Sequence, residues 1–437
     1  MADISKLEQQ ANLLMNNVSG WEQNVLTRIG KRIKKSGKLS LADVKSINNI
    51  AEIKSISNST IKNLSNATGL KESEIIKVSK ATLSAKEKKI VTNELNKAVV
   101  NKELHDITKE LEKVTGYNIS QIEQMYGELL EEQHLANQPL YDYRGKKFVP
   151  FAENRELQAI ARAYAKTTGE TMINLAKTKA LCVLGANGKP IGMQKYYTDV
   201  LDKAVVQVST GATDFHTAMR DSIIELGGSG VRVDYGGGVS RRLDTVVRQN
   251  LLWGAKQASV EYNEMIGEEL GCDGYEVDFH SNPRPSHEFM QGKQFAVGKA
   301  RTINGVHFDS FDEAEERLQD YGCLHYKTPI ICGISEPRYS SEELKRLNEQ
   351  NAKTYNINGK DVSGYEAQQM MRRVETAIRE QKSIKQTAQA SGDKVLVKQC
   401  NDKINAYKSK YEEITNITGF YPETKRMSVP RKPKAVK

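Results

Sequence analysis

The 437-residue chain contains no uncharged apolar run of the roughly 18 residues that a membrane-spanning helix needs. Its first ten residues, MADISKLEQQ, do not combine a basic segment with an apolar stretch, so we expect no secretory signal. The five cysteines are an odd and scattered set, which excludes a dense disulfide scaffold and favours reduced thiols in a cytoplasm. We therefore expect neither a membrane protein nor a Sec-exported protein.

Acidic residues are fewer than basic ones, and the difference is localised. The chain has 64 Lys and Arg residues against 55 Asp and Glu residues, and its net charge of +9 favours an acidic partner without indicating a fold. One basic segment contains no acidic residue and consists of Arg28, Lys31, Arg32, Lys34, Lys35 and Lys38 with the residues between them. A second basic segment lies in residues 421–437. Both segments can contact nucleic acid electrostatically, and a solvated helix face with a solubilising tail is the alternative.

The spacing of apolar residues predicts the organisation of the chain. Apolar residues recur every four positions from Trp21 to Ile33, which is typical of a helix. Near Gln138 the sequence QPLYDYRGKKFVPF, with a glycine and two prolines, predicts an extended connector or hairpin instead. We predict a predominantly helical α+β fold. It consists of a helical N-terminal region (1–137), a central α+β domain with short strands and hairpins (138–338), a C-terminal helical hairpin (339–420) and a basic, disordered tail (421–437).

Turn and capping signals locate several elements within these parts. Ser310–Glu313 and Ser363–Glu366 fit the pattern of a capping box at a helix start. The longest helix is predicted over Ser240–Leu270. Its predicted buried stripe consists of Leu243, Val247, Leu251, Ala258, Tyr262, Ile266 and Leu270. Asn-Gly pairs predict hairpin turns at residues 187–188, 304–305 and 358–359.

The residues that could carry chemistry lie in two short segments. The first is the run HSNPRPSH, in which His280 and His287 flank a rigid Pro-Arg-Pro turn, and the second contains Cys323 and His325. Two His/Cys pairs could close a tetrahedral zinc site, although the C-x-H spacing is tighter than in a standard zinc finger. The alternative is that both histidines hydrogen-bond the loop backbone and that Cys323 is a small buried apolar residue.

The same residues also admit a catalytic interpretation. Cys323 with a histidine would resemble a thiol nucleophile and its base, and His280 with His287 would resemble the acid–base pair of a nuclease. No sequence signature of a thiol enzyme surrounds Cys323. Neither interpretation can be decided without knowing whether the side chains lie close together.

These segments resemble the phage minor capsid protein 2 family, which is related to the Mu F-type head-morphogenesis proteins. The resemblance is carried by YEVDFHSNPRPSHEFMQGKQF, then by YGCLHYKTPIICGISEPRYSSEEL, and then by GYEAQQMMRRVETAIREQK. Met290 stands where the family usually has Trp, and Gly322 stands where it usually has Asn before the cysteine. The motif positions are His280, Arg284, Pro285, His287, Gln291, Gly292, Lys293, Cys323 and His325.

The resemblance implies a structural virion component of a tailed phage or prophage, made in the bacterial cytoplasm and located in the capsid interior or at the portal vertex. It implies a role in head assembly, DNA packaging or genome delivery. The expected partners are the portal protein, which the N-terminal region would help to bind, the major capsid protein, and packaged DNA through the basic segments. The resemblance implies neither an enzymatic activity nor a cofactor. The residues themselves suggest one cofactor, a structural zinc ion.

Two other functions remain open from the residues alone. One is a His/Cys-dependent nuclease or transferase that the virion carries into the host as an effector. The other is a non-specific DNA-binding protein.

Overall fold

In the computed structural model of the chain, the described residues are 4–36, 58–59, 61–62, 65, 71–73, 109–110, 119–177, 181–185, 187–193, 195–196, 215–320 and 322–429. The predominantly helical α+β fold predicted from the sequence is confirmed. The domain boundaries at residues 137, 338 and 420 remain predictions.

Helices form most of the described part of the chain. They are α1 (Ile4–Ser36), α2 (Ile119–Ala136), α3 (Gln138–Arg144), α4 (Arg155–Lys177), α5 (Phe215–Ser229), α6 (Leu243–Glu269), α7 (Asp312–Leu318), α8 (Ser341–Asn351), α9 (Gly364–Ser391) and α10 (Lys394–Thr418). Helix α6 lies at the centre and packs against α1, α2 and α4. Its apolar stripe is buried as predicted, and Trp21, Tyr126 and Tyr262 are among the largest fully buried side chains of the shared core.

The strands form two small sheets and a separate hairpin. They are β1 (Leu181–Leu184), β2 (Pro190–Gly192), β3 (Arg232–Asp234), β4 (Ser240–Arg242), β5 (Gly274–Val277), β6 (Gln294–Ala296), β7 (Arg301–Ile303), β8 (Val306–Ser310), β9 (Lys327–Ile330), β10 (Thr354–Ile357) and β11 (Lys360–Ser363). The first sheet has the order β2-β1-β3-β4 and the second the order β7-β8-β6-β5-β9. The predicted Asn-Gly hairpins are confirmed as β1–β2, β7–β8 and β10–β11.

Three sequence predictions about these elements are wrong. The first half of the connector predicted from Gln138 is instead helix α3, while residues 146–150 have no regular secondary structure. A proline occupies the first turn of α3, where a missing N–H is tolerated, and Gly145 closes the helix at a φ of 60°. The long helix begins at Leu243, since Ser240–Arg242 pairs as β4 with β3. The capping box predicted at Ser310 is not formed, because Phe311 is the N-cap residue of α7 and makes no side-chain cap hydrogen bond.

The predicted C-terminal helical hairpin is confirmed as the pair α9 and α10. The capping box at Ser363 is present, with both reciprocal hydrogen bonds to Glu366. Apolar residues such as Ile378, Ile404 and Tyr411 fill the interface between the two helices. The other face of α9 packs against α1 and α5.

Four buried charged residues join α1, β4, α6 and α9. We call Glu22, Arg242, Asp244 and Arg379 the charge cluster. Glu22 Oε2 lies 3.2 Å from Arg242 Nη2, and Asp244 Oδ2 lies 2.7 Å from Arg379 Nη1. Ser19 and the backbone N–H of Val231 donate to the two carboxylates. Burial alone would raise the pKa of Asp244, but the two arginines outweigh it and the net shift is downward. Asp244 therefore stays ionised inside the core.

Part of the predicted disordered tail has a defined conformation. Residues Thr424–Met427 form a 3-10 helix against α9. Arg426 pairs with the buried carboxylate of Glu375 at 3.0 Å, and Lys382 donates to the carbonyl oxygen of Met427 at 2.7 Å. Arg426 and Met427 therefore have partners on α9, and the disorder of the rest of the tail stays a prediction. Residues 430–437 lie outside the described part of the chain.

Candidate functional site

The pairing of β5 with β9 brings the two chemical segments together. The strands are antiparallel, with Val277 opposite Lys327, so the residues that follow β5 lie beside those that precede β9. His280 follows β5, and Cys323 and His325 precede β9. The chain then returns through a 3-10 helix, Pro285–Met290, which carries His287 to the same place. Pro285 starts this helix because its fixed φ suits a first turn.

Three of the four predicted metal ligands converge. We call His287, Cys323 and His325 the His–Cys cluster, and one candidate ligand atom from each lies within 4.8 Å of the others. Cys323 Sγ is 3.6 Å from His325 Nδ1. All three side chains are buried. The proximity that the sequence could not establish is therefore present for these residues.

Gln291 fixes the orientation of the His325 ring. The backbone N–H of His280 donates to Gln291 Oε1 at 2.8 Å, so that atom must be the amide oxygen. The same oxygen lies 3.0 Å from His325 Nε2, which must therefore carry a proton and donate it. In the neutral ring the lone pair then resides on Nδ1, the atom that faces the sulfur of Cys323. Gln291 is 1% exposed, and its own Nε2 has no hydrogen-bond partner among the described residues.

Asp320 holds His287 in a similar way. His287 Nε2 lies 3.2 Å from Asp320 Oδ2, and the His287 backbone N–H donates to the carbonyl oxygen of Arg284 at 2.8 Å. The side chain thus pairs with a carboxylate rather than with the loop backbone, contrary to the structural alternative considered for it. Burial lowers the pKa of His287, even though Asp320 opposes the shift.

His280 lies next to the His–Cys cluster but outside it. Its Nε2 lies 3.0 Å from Asp278 Oδ2, and its ring centroid is 4.4 Å from that of His325. Burial would lower the pKa of His280, but Asp278 outweighs burial and the net shift is upward. Asp278 also accepts a hydrogen bond from the backbone N–H of Tyr326, which fixes the start of β9. The prediction that His280 is a fourth ligand is therefore not supported by its contacts.

His325 has the largest pKa shift of the three histidines. Burial, followed by the neighbouring charge of His280, lowers the pKa of His325 to about 3. The ring is therefore neutral at pH 7. A neutral ring of this kind is a good lone-pair donor but a poor acceptor of a proton at that pH.

The remaining motif positions shape the loop. Gly292 has a φ of 65°, a backbone conformation that favours glycine, and a Cβ on it would also crowd Leu344 Cδ1 at 2.6 Å. Gly322 has a φ of 75°, a region that glycine and asparagine tolerate best, which explains why glycine can replace the usual asparagine. Met290 is fully buried beside Val277 and Phe295, as an apolar residue in place of the usual Trp. Lys293 is exposed and contributes its carbonyl oxygen to Val277 N–H.

A cavity of about 600 Å³ borders the His–Cys cluster, and a second of about 730 Å³ adjoins it. We call the two together the arginine cleft. Arg248, Arg372 and Arg426 line both cavities, and burial followed by the charge of Arg426 lowers the pKa of Arg248 and of Arg372. The arginines of the first cavity are Arg241, Arg248, Arg284, Arg372, Arg379 and Arg426. Except for Arg284 they come from α6, its preceding strand, α9 and the tail, so no sequence spacing could have grouped them.

The predicted N-terminal nucleic-acid residues are only partly described. Arg28 is exposed and forms an ion pair with Glu110. Helix α1 contains four more of them, Lys31, Arg32, Lys34 and Lys35, but their side chains fall outside the described part of the chain. Lys38 lies entirely outside it. Their contact with DNA stays a prediction.

The comparisons with known proteins identify the family. None of the helices in the described ranges has the length and hydrophobicity needed to cross a bilayer. The family model described as phage minor capsid protein 2 matches residues 92–415, which include every motif position named above. No curated protein and no solved structure gives a significant match. The chain therefore belongs to the phage minor capsid protein 2 family and is a component of a phage virion.

Proposed function

We propose that the protein is a structural component near the portal vertex that acts in head assembly, DNA packaging or genome delivery. The observation that carries this proposal is the family match over 92–415, which covers both sheets, the His–Cys cluster and most of the C-terminal helical hairpin. The proposed partners are the portal protein and the major capsid protein, and the proposed location is the capsid interior or the portal vertex.

The structure supports docking through its C-terminal helices. Helix α8 has no buried residue of its own and carries charges of both signs, so most of its surface is available to a partner. One side of α10 packs on α9, while the other, with exposed Val395 and Ile417, faces outward. Mixed charge with scattered apolar residues is typical of a polar protein–protein interface.

The arginine cleft supports a contact with packaged DNA. Six arginines line its first cavity, and three of them, Arg248, Arg379 and Arg426, already pair with carboxylates. One side of the cleft is the Pro-Arg-Pro turn. Clustered arginines neutralise backbone phosphates and release counterions without reading the base sequence. We extend the proposed DNA contact from the basic segments to this cleft.

A matched pair of variants on α9 tests the DNA contact. Arg372 lines both cavities and the neighbouring Arg373 lines neither, although both residues are exposed. We expect Arg372→Ala to weaken binding to double-stranded DNA by about threefold or more and to reduce the salt slope by about one, while Arg373→Ala changes either quantity less. Equal losses in both variants, or no salt dependence in the parent protein, would remove the cleft from the account.

Deletion of the gene from the phage tests the structural role. We expect the deletion to yield heads that are absent, empty or not infectious, and we expect the supplied protein to restore them. Electron microscopy of thin-sectioned cells distinguishes these outcomes. Normal, DNA-filled and infectious particles from the deletion would contradict the proposal.

One observation favours a second function, that of an effector enzyme. Cys323 Sγ lies 3.6 Å from His325 Nδ1 at the edge of a cavity, as a thiol nucleophile and its base would. The lowered pKa of His325, about 3, argues against it as a base at neutral pH. The purified protein and its Cys323→Ala variant, each incubated with DNA and host extract, test this function. An effector enzyme requires turnover by the parent protein that the variant loses.

A further inference from the structure

We propose that the His–Cys cluster binds one zinc ion through Cys323 Sγ and the Nδ1 atoms of His287 and His325. A water molecule from the arginine cleft would occupy the fourth position. Zinc is the metal of choice for this site, because two imidazoles and one thiolate are a ligand set that it accepts in tetrahedral geometry.

The spacing of the ligand atoms fits such an ion. Zinc–nitrogen bonds of about 2.0–2.1 Å and zinc–sulfur bonds of about 2.3 Å at tetrahedral angles separate the two donor atoms by about 3.6 Å. Cys323 Sγ and His325 Nδ1 are 3.6 Å apart. A candidate nitrogen of His287 completes a set whose atoms all lie within 4.8 Å of one another.

The surroundings of the two rings strengthen the assignment. Metal-bound histidines in proteins usually donate their other ring N–H to a carboxylate or carbonyl oxygen. His287 faces Asp320 and His325 faces the amide oxygen of Gln291, in both cases through Nε2. The Nδ1 atom of each ring is thereby left for the ion. The family motif residue Gln291 thus acts as a positioning residue.

The backbone around Cys323 is also fixed. Lys256 is buried on α6 and donates to the carbonyl oxygens of Leu318 and Cys323, so it holds the turn that presents the sulfur. An ion at this point would connect the 3-10 helix, the turn after α7 and the start of β9. Because the unfolded chain does not preform the site, metal binding would add to the stability of the folded state.

The experiment is metal analysis of the full-length protein purified without chelators, with Cys332→Ser as the matched control. Cys332 is equally buried, but its sulfur faces the carbonyl oxygens of Asp273 and Phe295 and no histidine. We expect the parent protein and Cys332→Ser to hold one equivalent of zinc, and Cys323→Ser and His325→Ala to hold less than about one tenth of that. Replacement of zinc by Co²⁺ should give an intense thiolate-to-cobalt absorption in the parent protein and in Cys332→Ser.

Two results would overturn the proposal. In the first, the parent protein takes up no stoichiometric zinc even on titration, and a chelator leaves its melting temperature unchanged. In that case the pair is a hydrogen-bonded thiol and imidazole. The other is Co²⁺-loaded protein without thiolate absorption, which removes Cys323 as a ligand. Both measurements use the parent protein, so they decide the question even if a variant fails to fold.

Discussion

The charge cluster and the His–Cys cluster are both buried and polar, but they are satisfied in opposite ways. In the charge cluster each carboxylate faces an arginine, as Asp244 does with Arg379 at 2.7 Å. The His–Cys cluster instead brings together two imidazole rings and a thiol, and its candidate ligand atoms converge within 4.8 Å. The opposite charges of the first set balance one another, although Arg242 Nε, Arg242 Nη1 and Arg379 Nε have no hydrogen-bond partner among the described residues. The lone pairs of the second set can be paired only with a proton shared between two donor atoms or with a bound cation. This is the physical reason to expect a metal ion there.

The largest expected effect comes from breaking the charge cluster. Asp244→Ala leaves Arg379 without its counter-charge in the core and leaves Arg242 with Glu22 alone, and we expect the free energy of unfolding to fall by about 3–5 kcal/mol. Asp309→Ala is the control, because Asp309 pairs with His307 at the surface and should cost less than about 1 kcal/mol. Urea denaturation at pH 7 measures both values. A loss below about 1 kcal/mol for Asp244→Ala would show that the cluster does not hold α1 and α9 to the core.

A smaller loss is expected at the His–Cys cluster. Gln291→Ala removes the acceptor of both His280 N–H and His325 Nε2–H, so two buried donors lose their partner and the free energy of unfolding should fall by about 2–4 kcal/mol. Gln294→Ala, which removes a hydrogen bond to Glu276 at a less buried position, should cost about 1 kcal/mol. If zinc is bound, Gln291→Ala should also lower the zinc affinity by about 10–100-fold. Equal unfolding energies for the two variants would contradict the positioning role.

The smallest effect is expected at a half-buried ion pair, and it should depend on pH. Arg220 forms two hydrogen bonds to Asp393, which also caps α10 by accepting from Leu396 N–H. The hydrogen bond from Arg220 is the main cause that lowers the pKa of Asp393. The ionised carboxylate therefore stabilises the fold above about pH 4, and this stability is lost as the pH falls through the lowered pKa.

Asp393→Asn keeps the cap but removes the charge, so it isolates the pair. We expect it to cost about 1–2 kcal/mol at pH 7, because Arg220 is partly exposed, and the difference from the parent should disappear on acidification below about pH 4. Thermal unfolding of both proteins across this pH range measures it. A difference that stays constant with pH would assign the loss to packing instead of charge.

The two clusters also differ in how far the sequence could predict them. The residues of the His–Cys cluster lie in two segments that flank one pair of strands, so their types and short spacing allowed a metal site as one interpretation of the sequence. His280 stays a predicted ligand, and nothing in the sequence shows that its Nε2 would lie 3.0 Å from Asp278 Oδ2. The charge cluster was not predicted. Glu22 and Arg242 are 220 positions apart in the sequence, and Asp244 and Arg379 are 135 positions apart.

The same limit explains one of the errors in the fold, the strand β4. Local signals such as the Asn-Gly turns and the capping box at Ser363 depend on neighbouring residues, and they were predicted correctly. The strand Ser240–Arg242 depends on pairing with β3, which requires tertiary structure. The arginine cleft likewise requires α6, α9 and the tail to meet, so the charge excess of the chain indicated an acidic partner but not the surface that could contact it.

Quantitative mass spectrometry of purified virions, before and after DNA ejection, tests the central claim of a structural virion component most directly. We predict that the protein is present at a constant, low number of copies per particle and that it copurifies with the portal protein. Retention in emptied capsids would assign it to the head, and departure with the DNA would assign it to genome delivery. Its absence from DNA-filled particles would contradict the account.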